Sequence, residues 1–402
     1  MDARHFDHLA KMLAARISRR RAMSAAVGTA LSAGLARASA QSTHASTPAA
    51  AQVGTPIAGD ARVRRNAKEL SADERLAFTN AIRGLKLKPS HWAHGLSVYD
   101  TFVIWHRDAF DCALMSAHMG PAFFPWHRQY LHMFEQELQT VDPTVTLPYW
   151  DWTVDTGTDA YLWDDDFMGG NGDPNEDFAV TTGPFRKDTW ELTVFDYTDS
   201  QRTPYLVREF GATAFAPTLP TPEQLEAVLA IPTYDAEPWN TLAPTASSFR
   251  NAIEGWRDCV DEICDPDAGM SPVCTGEHLL HNRVHLWVAG EFAFAVEGAR
   301  EGRRGEHLVV AATPSPATDL FGTMAANSSP NDPVFWLHHT NLDRLWNLWM
   351  ERHGQVYLPE QGGPIGHNID DAMWPYTHLG MTVTPRMMLD SRALGYVYDT
   401  DM

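Results

Sequence analysis

The chain has 402 residues, is 44% hydrophobic and carries a formal net charge of −20, enough apolar material for one large core or two smaller ones, of which a single core is expected. The acid excess argues against a nucleic-acid partner, because a phosphate-binding surface would need clustered Lys and Arg. Such a balance chiefly serves solubility, and it suits a small neutral or cationic substrate.

Residues 1–40 differ in composition from the rest of the chain. Ser18-Arg19-Arg20-Arg21 precedes the weakly apolar run AMSAAVGTALSAGLA, and Ala38-Ser39-Ala40 stands before Gln41. The order resembles a twin-arginine export signal with an A-x-A cleavage site, and the run is too short and too weakly apolar to span a membrane. A periplasmic or secreted protein that crosses the membrane already folded is therefore expected. Residues 41–60, rich in Ala, Ser, Thr, Gly and Pro, read as a flexible spacer, and residues 61–402 as the functional domain.

Ser71, with Glu74 three residues on, forms a capping box that opens an amphipathic helix reaching Lys88. Within 89–115 the stretch LSVYDTFVIWHRDAF has apolar residues at helical spacing and puts His106 on a buried face. His91 and His94, in the loop before it, are expected at the surface. His118 comes next, in MSAHMG. Pro121 and Pro125 introduce a helix over 120–140 that Asp142-Pro143 stops. His127 falls in its first turn, and His132, five residues on, faces elsewhere, either as a packing residue or as support behind the ligands. LPYWDW at 147–152 reads as an aromatic wall of the core. From Thr153 to Pro244 no long periodic run occurs, and long loops over a helical core are expected.

Helical periodicity resumes in TASSFRNAIEGWRD at 245–258. Of the four cysteines, Cys112 stands apart while Cys259, Cys264 and Cys274 share one loop; two of these three could pair in an oxidising compartment, and spacing does not say which. His281 and His285 are four apart in LHNRVHLWV, so both imidazoles leave one helical face. Beyond them lies a polar insertion at 291–322, a solvated surface loop or a lid. Asn331-Asp332-Pro333 then reads as a helix start with Asp332 as cap, and His338-His339 stand within that helix.

A single HxxxH is most often ordinary packing. The case for a metal is that two separate sets occur: His106, His118 and His127, then His281 and His285 with a third from the His338-His339 pair. Two such sets imply two metals. Neutral imidazoles without thiolate or carboxylate suit copper, zinc or iron, and spacing does not choose among them.

FPWHRQYLHMFEQELQ, LPYWDW, FRNAIEGWR, LHNRVHLWV and SPNDPVFWLHHTNLDRLW, in this order across about residues 62–400, resemble the type-3 copper proteins of the tyrosinase family, most of all its short bacterial members. The resemblance implies a mainly α fold, with a central helical bundle holding a dinuclear copper site, long irregular loops and few short strands. It implies two copper ions, one on His106, His118 and His127, the other on His281, His285 and His339, with His338 as a neighbour. The partners it implies are O2 and a phenolic small molecule. Coppers held only by neutral nitrogens can cycle between Cu(I) and Cu(II), and a phenol bound beside them is placed for oxidation at its ortho carbon.

By the same resemblance Glu254 and Asn282 would hold a water that deprotonates the incoming phenol, general-base chemistry for which a carboxylate and an amide are suited; the plain alternative for Glu254 is a salt bridge to Arg257. Met324-Ala325-Ala326-Asn327-Ser328-Ser329 would edge an open substrate entrance. Ser116 stands where some relatives carry a cysteine in thioether linkage, so no thioether is expected. Tyr396-Val397-Tyr398 resembles the motif that closes the catalytic domain; a covering domain is not expected beyond it, and a separate helper protein for copper loading is. The function so implied is a phenol oxidase that hydroxylates monophenols and oxidises o-diphenols to o-quinones. The alternatives are a catechol or o-aminophenol oxidase without the hydroxylation, a haemocyanin-like oxygen carrier, and a dizinc hydrolase, for which these sets lack the usual carboxylates.

Overall fold

The computed structural model describes residues 61–110, 117–196, 203–213, 216–240, 245–255, 280–293 and 319–401. The expected export signal and spacer, all four cysteines, Ser116, Arg257 and most of the polar insertion lie outside these residues. Strand β1 (Arg62–Arg64) is followed by helices α1 (Ala72–Leu87), α2 (Val98–Ala109) and α3 (Phe123–Val141). Two-residue strands β2 (Gly172–Asp173) and β3 (Ala179–Val180) precede α4 (Pro222–Leu229), α5 (Phe249–Glu254) and α6 (Leu280–Ala289). Strands β4 (Glu291–Ala293) and β5 (Asp319–Phe321), helix α7 (Val334–His353) and β6 (Tyr396–Tyr398) complete the order. The mainly helical expectation holds. Among the described residues no helix is long and apolar enough to cross a membrane.

Local chemistry sets the helix limits. Ser71 and Glu74 close the expected capping box on α1, and Asp142 ends α3. His127 is the fifth residue of α3, one position beyond the turn in which the sequence placed it. α5 closes at Gly255, whose φ of 84° is a left-handed conformation open to glycine; the last three residues of the expected helical stretch lie outside the described residues. α4 lies where only loops were expected; Thr221 and Gln224 form its capping box with Pro222 in the first turn. Asp332 lies one residue before the position that caps α7. Its Oδ1 still accepts the Val334 N–H at 3.2 Å.

Helices α1, α2, α3 and α7 form the bundle, with Trp126, Trp150, Trp152, Trp336 and Trp346 fully buried in one core. The aromatic wall of LPYWDW is core as expected. β1 and β6 pair in parallel, bringing the two ends of the domain together. Behind that pair, the Arg64 guanidinium bonds Glu135 of α3 at 2.7 Å and Asp343 of α7 at 3.2 Å, and Asp343 also accepts Tyr396 and Tyr398 hydroxyls at 2.7 and 2.6 Å. A second buried arginine, Arg208, grips Asp332 with both arms at 2.6 and 2.7 Å and anchors the start of α7.

Candidate metal centre

The bundle and α6 together bring close the histidines that the sequence kept far apart. His106 projects from α2, His127 from α3, and His118 from the segment joining them; their ring centroids are 4.9, 4.9 and 5.6 Å apart. His281 and His285, one turn apart on α6, meet His339 of α7 with centroids 4.5, 5.0 and 5.4 Å apart. The nitrogens of each set lie within 4.8 Å of one another, as a metal ion requires. His338 has nitrogens within the same reach of the second set, and its ring stacks on His281 at 5.3 Å. His91 and His94 are exposed, as expected, and His132 bonds Gln136 rather than either set.

Main-chain carbonyls decide how four of the rings present themselves. His106 Nδ1 donates to Asn327 O at 2.7 Å, His127 Nδ1 to Phe123 O at 2.8 Å, His285 Nδ1 to Met324 O at 2.6 Å and His281 Nδ1 to Glu254 O at 3.3 Å. A carbonyl can only accept, so each Nδ1 carries the proton and each Nε2 keeps its lone pair for the centre. His118 is held by its face instead, stacked on Phe110 at 3.6 Å.

The charge state fits the same use. All six rings are buried, and burial lowers every one of their pKa values, His127 to about 3 and His285 to about 4, so they are neutral at pH 7. The Nε2 atoms of His106, His127 and His281 are buried without a hydrogen-bond partner, a condition that costs about 1–3 kcal/mol per group unless something else satisfies it. His285 Nε2 and His339 Nε2 face each other at 3.2 Å, a separation open to two nitrogens on one ion with bonds of about 2.0–2.1 Å. Neutral, desolvated, nitrogen-only donor sets with aromatic walls fit a pair of copper ions.

The two sets are cross-tied. Met324 and Asn327, three residues apart in one loop, clamp His285 of one set and His106 of the other. Glu254 links a second pair, for its backbone carbonyl accepts from His281 while its carboxylate accepts the N–H of Met119, the neighbour of His118. Met119 has φ of 59°, a left-handed backbone uncommon for a side chain of its size. The Glu254 carboxylate also pairs with Arg250 at 2.9 Å, and Arg250 is held by Asp235 at 2.8 Å; the alternative partner Arg257 lies outside the described residues. Burial raises the Glu254 carboxyl to about 7 although Arg250 opposes it. Asn282 donates to Gly255 O at 3.3 Å, so the two residues singled out with the histidines stand on either side of the Gly255 turn.

Sequence reasoning placed the loop from Met324 to Ser329 at a substrate entrance and missed that its carbonyls orient the rings. No side-chain signal marks a carbonyl. It also missed Asp196, whose carboxylate accepts the Asn327 and Ser328 N–H groups at 2.6 and 2.7 Å.

A family model described as the common central domain of tyrosinase matches residues 96–352. The chain is 36% identical over 340 residues to a tyrosinase of Streptomyces glaucescens, with 84% of this chain and 99% of the relative covered. It is 36% identical over 363 residues to a grixazone synthase of Streptomyces griseus, again covering 84% and 99%. Among solved structures it is similar to a polyphenol oxidase of Thermothelomyces thermophila, 24% identical with a TM-score of 0.48, covering 72% of this chain and 70% of that one.

Proposed function

The chain belongs to the tyrosinase family and is a dicopper oxidoreductase of the polyphenol-oxidase type, and from that premise we propose that it hydroxylates monophenols and oxidises o-diphenols to o-quinones. In this proposal His106, His118 and His127 hold one copper, and His281, His285 and His339 the other. The observation that carries it is the pair of buried, neutral imidazole sets, in which four of the six Nδ1 protons are turned outward onto carbonyls. His339 is chosen over His338 because its Nε2 lies 3.2 Å from that of His285. Bound copper would supply O2 binding and the redox capacity for the oxidation, two electrons from an o-diphenol and four from a monophenol.

The chain's own residues position and deprotonate. Glu254 and Asn282, either side of Gly255, hold a water that takes the phenol proton. Phenol and O2 then give o-quinone and water, and two o-diphenols with O2 give two o-quinones and two waters. Steady-state kinetics of the copper-loaded protein on tyrosine, L-DOPA and o-aminophenol test the proposal, which requires turnover of tyrosine. A narrower function, oxidation of catechols or o-aminophenols alone, has one observation in its favour: the Glu254 carboxylate is already engaged by Met119 N–H and Arg250. Turnover of L-DOPA or o-aminophenol without tyrosine would select it.

The proposal extends to export, supported by Ser18-Arg19-Arg20-Arg21 ahead of Ala38-Ser39-Ala40, and to copper loading by a helper protein. A mature protein whose N-terminus is Gln41 is the expected result of sequencing.

A further inference from the structure

Asp196 belongs to no histidine set, yet it sits where the two sets are joined. Its carboxylate accepts two consecutive N–H groups, Asn327 at 2.6 Å and Ser328 at 2.7 Å. The carbonyl of that same Asn327 accepts from His106, and that of Met324, one turn earlier, accepts from His285. Two further contacts of the segment reach the turn before α7 and the helix that carries His106. Val194 O accepts the Asn331 amide at 2.7 Å, and Phe195 O accepts from Arg107, the neighbour of His106, at 3.1 Å.

Resting on the copper assignment above, we infer that Asp196 is a positioning residue shared by both copper sites. A carboxylate holding two adjacent amides fixes the peptide planes of the turn, and so fixes where the Asn327 and Met324 carbonyls point. Those carbonyls hold the Nδ1 protons of one ring in each set, and partners one shell out from a metal commonly change its affinity by about 10–100-fold. The segment around Asp196 therefore sets two ring orientations at once, one on either side of the dinuclear centre.

The test compares the copper-loaded full chain with Asp196→Ala, Asp196→Asn and the control Asp166→Ala, whose carboxylate makes an exposed pair with Arg75. Each is dialysed against graded EDTA, retained copper is measured by atomic absorption, and the apo proteins are melted in parallel. The expected result for Asp196→Ala is loss of both coppers together at roughly tenfold lower EDTA; the apo protein melts lower than the control, because two amides lose their acceptor, but above the dialysis temperature, so the copper leaves folded protein. Asp196→Asn, which keeps one acceptor oxygen, falls between. EDTA curves matching the parent, loss confined to one copper, or loss only where the apo protein has already melted would each overturn the inference. Should Asp196→Ala fail to fold, Asp196→Asn decides by the same criteria. A parent that holds fewer than two coppers would instead overturn the copper assignment, so the two failures are distinct.

Discussion

The imidazole of His127 lies against that of His339, centroids 4.4 Å apart and planes 20° apart, so a ring from α3 and a ring from α7 touch across the centre. Phe335 covers the other face of His339 at 4.0 Å. With the Met324–Asn327 loop and with Glu254, this stack is the third tie between the sets. Each ring of one set is thereby matched to a ring of the other: His106 with His285, His118 with His281, His127 with His339. The spacing of the two sets is thus fixed by the protein through three separate contacts.

Because the stack holds His339 independently of His285, removing His285 should empty one site without spoiling the other. His285→Ala is expected to reduce copper from two ions per chain to one and oxidase activity to background, with the far-ultraviolet circular dichroism of the parent. Two retained coppers, or full activity, would remove His285 from the metal site.

The buried charges behind the β1–β6 pair predict a large effect of a different kind. Asp343, one turn beyond His339 on α7, neutralises Arg64 and Arg128 together. Asp343→Ala leaves two buried guanidiniums short of a partner, which costs about 3–5 kcal/mol. Urea titration of the apo protein should show it as a lower midpoint; an unchanged midpoint would mean that Glu135 alone suffices for Arg64.

The sequence made legible whatever depends on residue type and short spacing. The Ser71–Glu74 box, the stop at Asp142, the shared face of His281 and His285 and the burial of Trp150 and Trp152 all read directly from neighbours in the chain. Less legible was what depends on main-chain atoms or on pairing across long separations. Met324 and Asn327 act through carbonyls that every residue owns, and Asp196 acts on N–H groups more than 130 residues away. The identity of Asp332 as the anchor of Arg208 needed the fold, since as a cap it looked complete. Helix α4 is a different kind of miss: Thr221-Pro222-Glu223-Gln224 carries a capping signal, but eight residues gave too little periodicity beside the surrounding Pro and Gly.

If Glu254 holds the water that deprotonates a phenol, its loss should fall unequally on the two reactions. Glu254→Gln keeps the shape and an acceptor for Met119 N–H, and leaves Arg250 with Asp235. Tyrosine turnover is expected to drop by about 10²-fold or more, the usual scale for general-base loss, with L-DOPA turnover reduced much less and copper content unchanged. Equal losses on both substrates would assign Glu254 to ring positioning alone.

His132 offers a pH dependence that copper does not complicate. Burial lowers its pKa to about 4, with Arg64 lowering it further while Glu135 and Asp343 oppose; its ring stacks on Tyr396 at 6.5 Å. Above its unfolded value of about 6.5 neither state binds the proton, so His132 does not affect stability there. Below that value the unfolded chain takes up a proton that the folded chain refuses, and stability falls until the pH reaches the folded value. The loss is about 1.4 kcal/mol per pH unit, or about 3 kcal/mol between pH 6.5 and 4. In the apo protein the parent should therefore lose about that much more than His132→Gln over the interval, measured by urea unfolding at each pH, and the two should run parallel above pH 7. Parallel curves over the whole range would mean that His132 is protonated in the folded chain, which the neighbouring Arg64 guanidinium opposes.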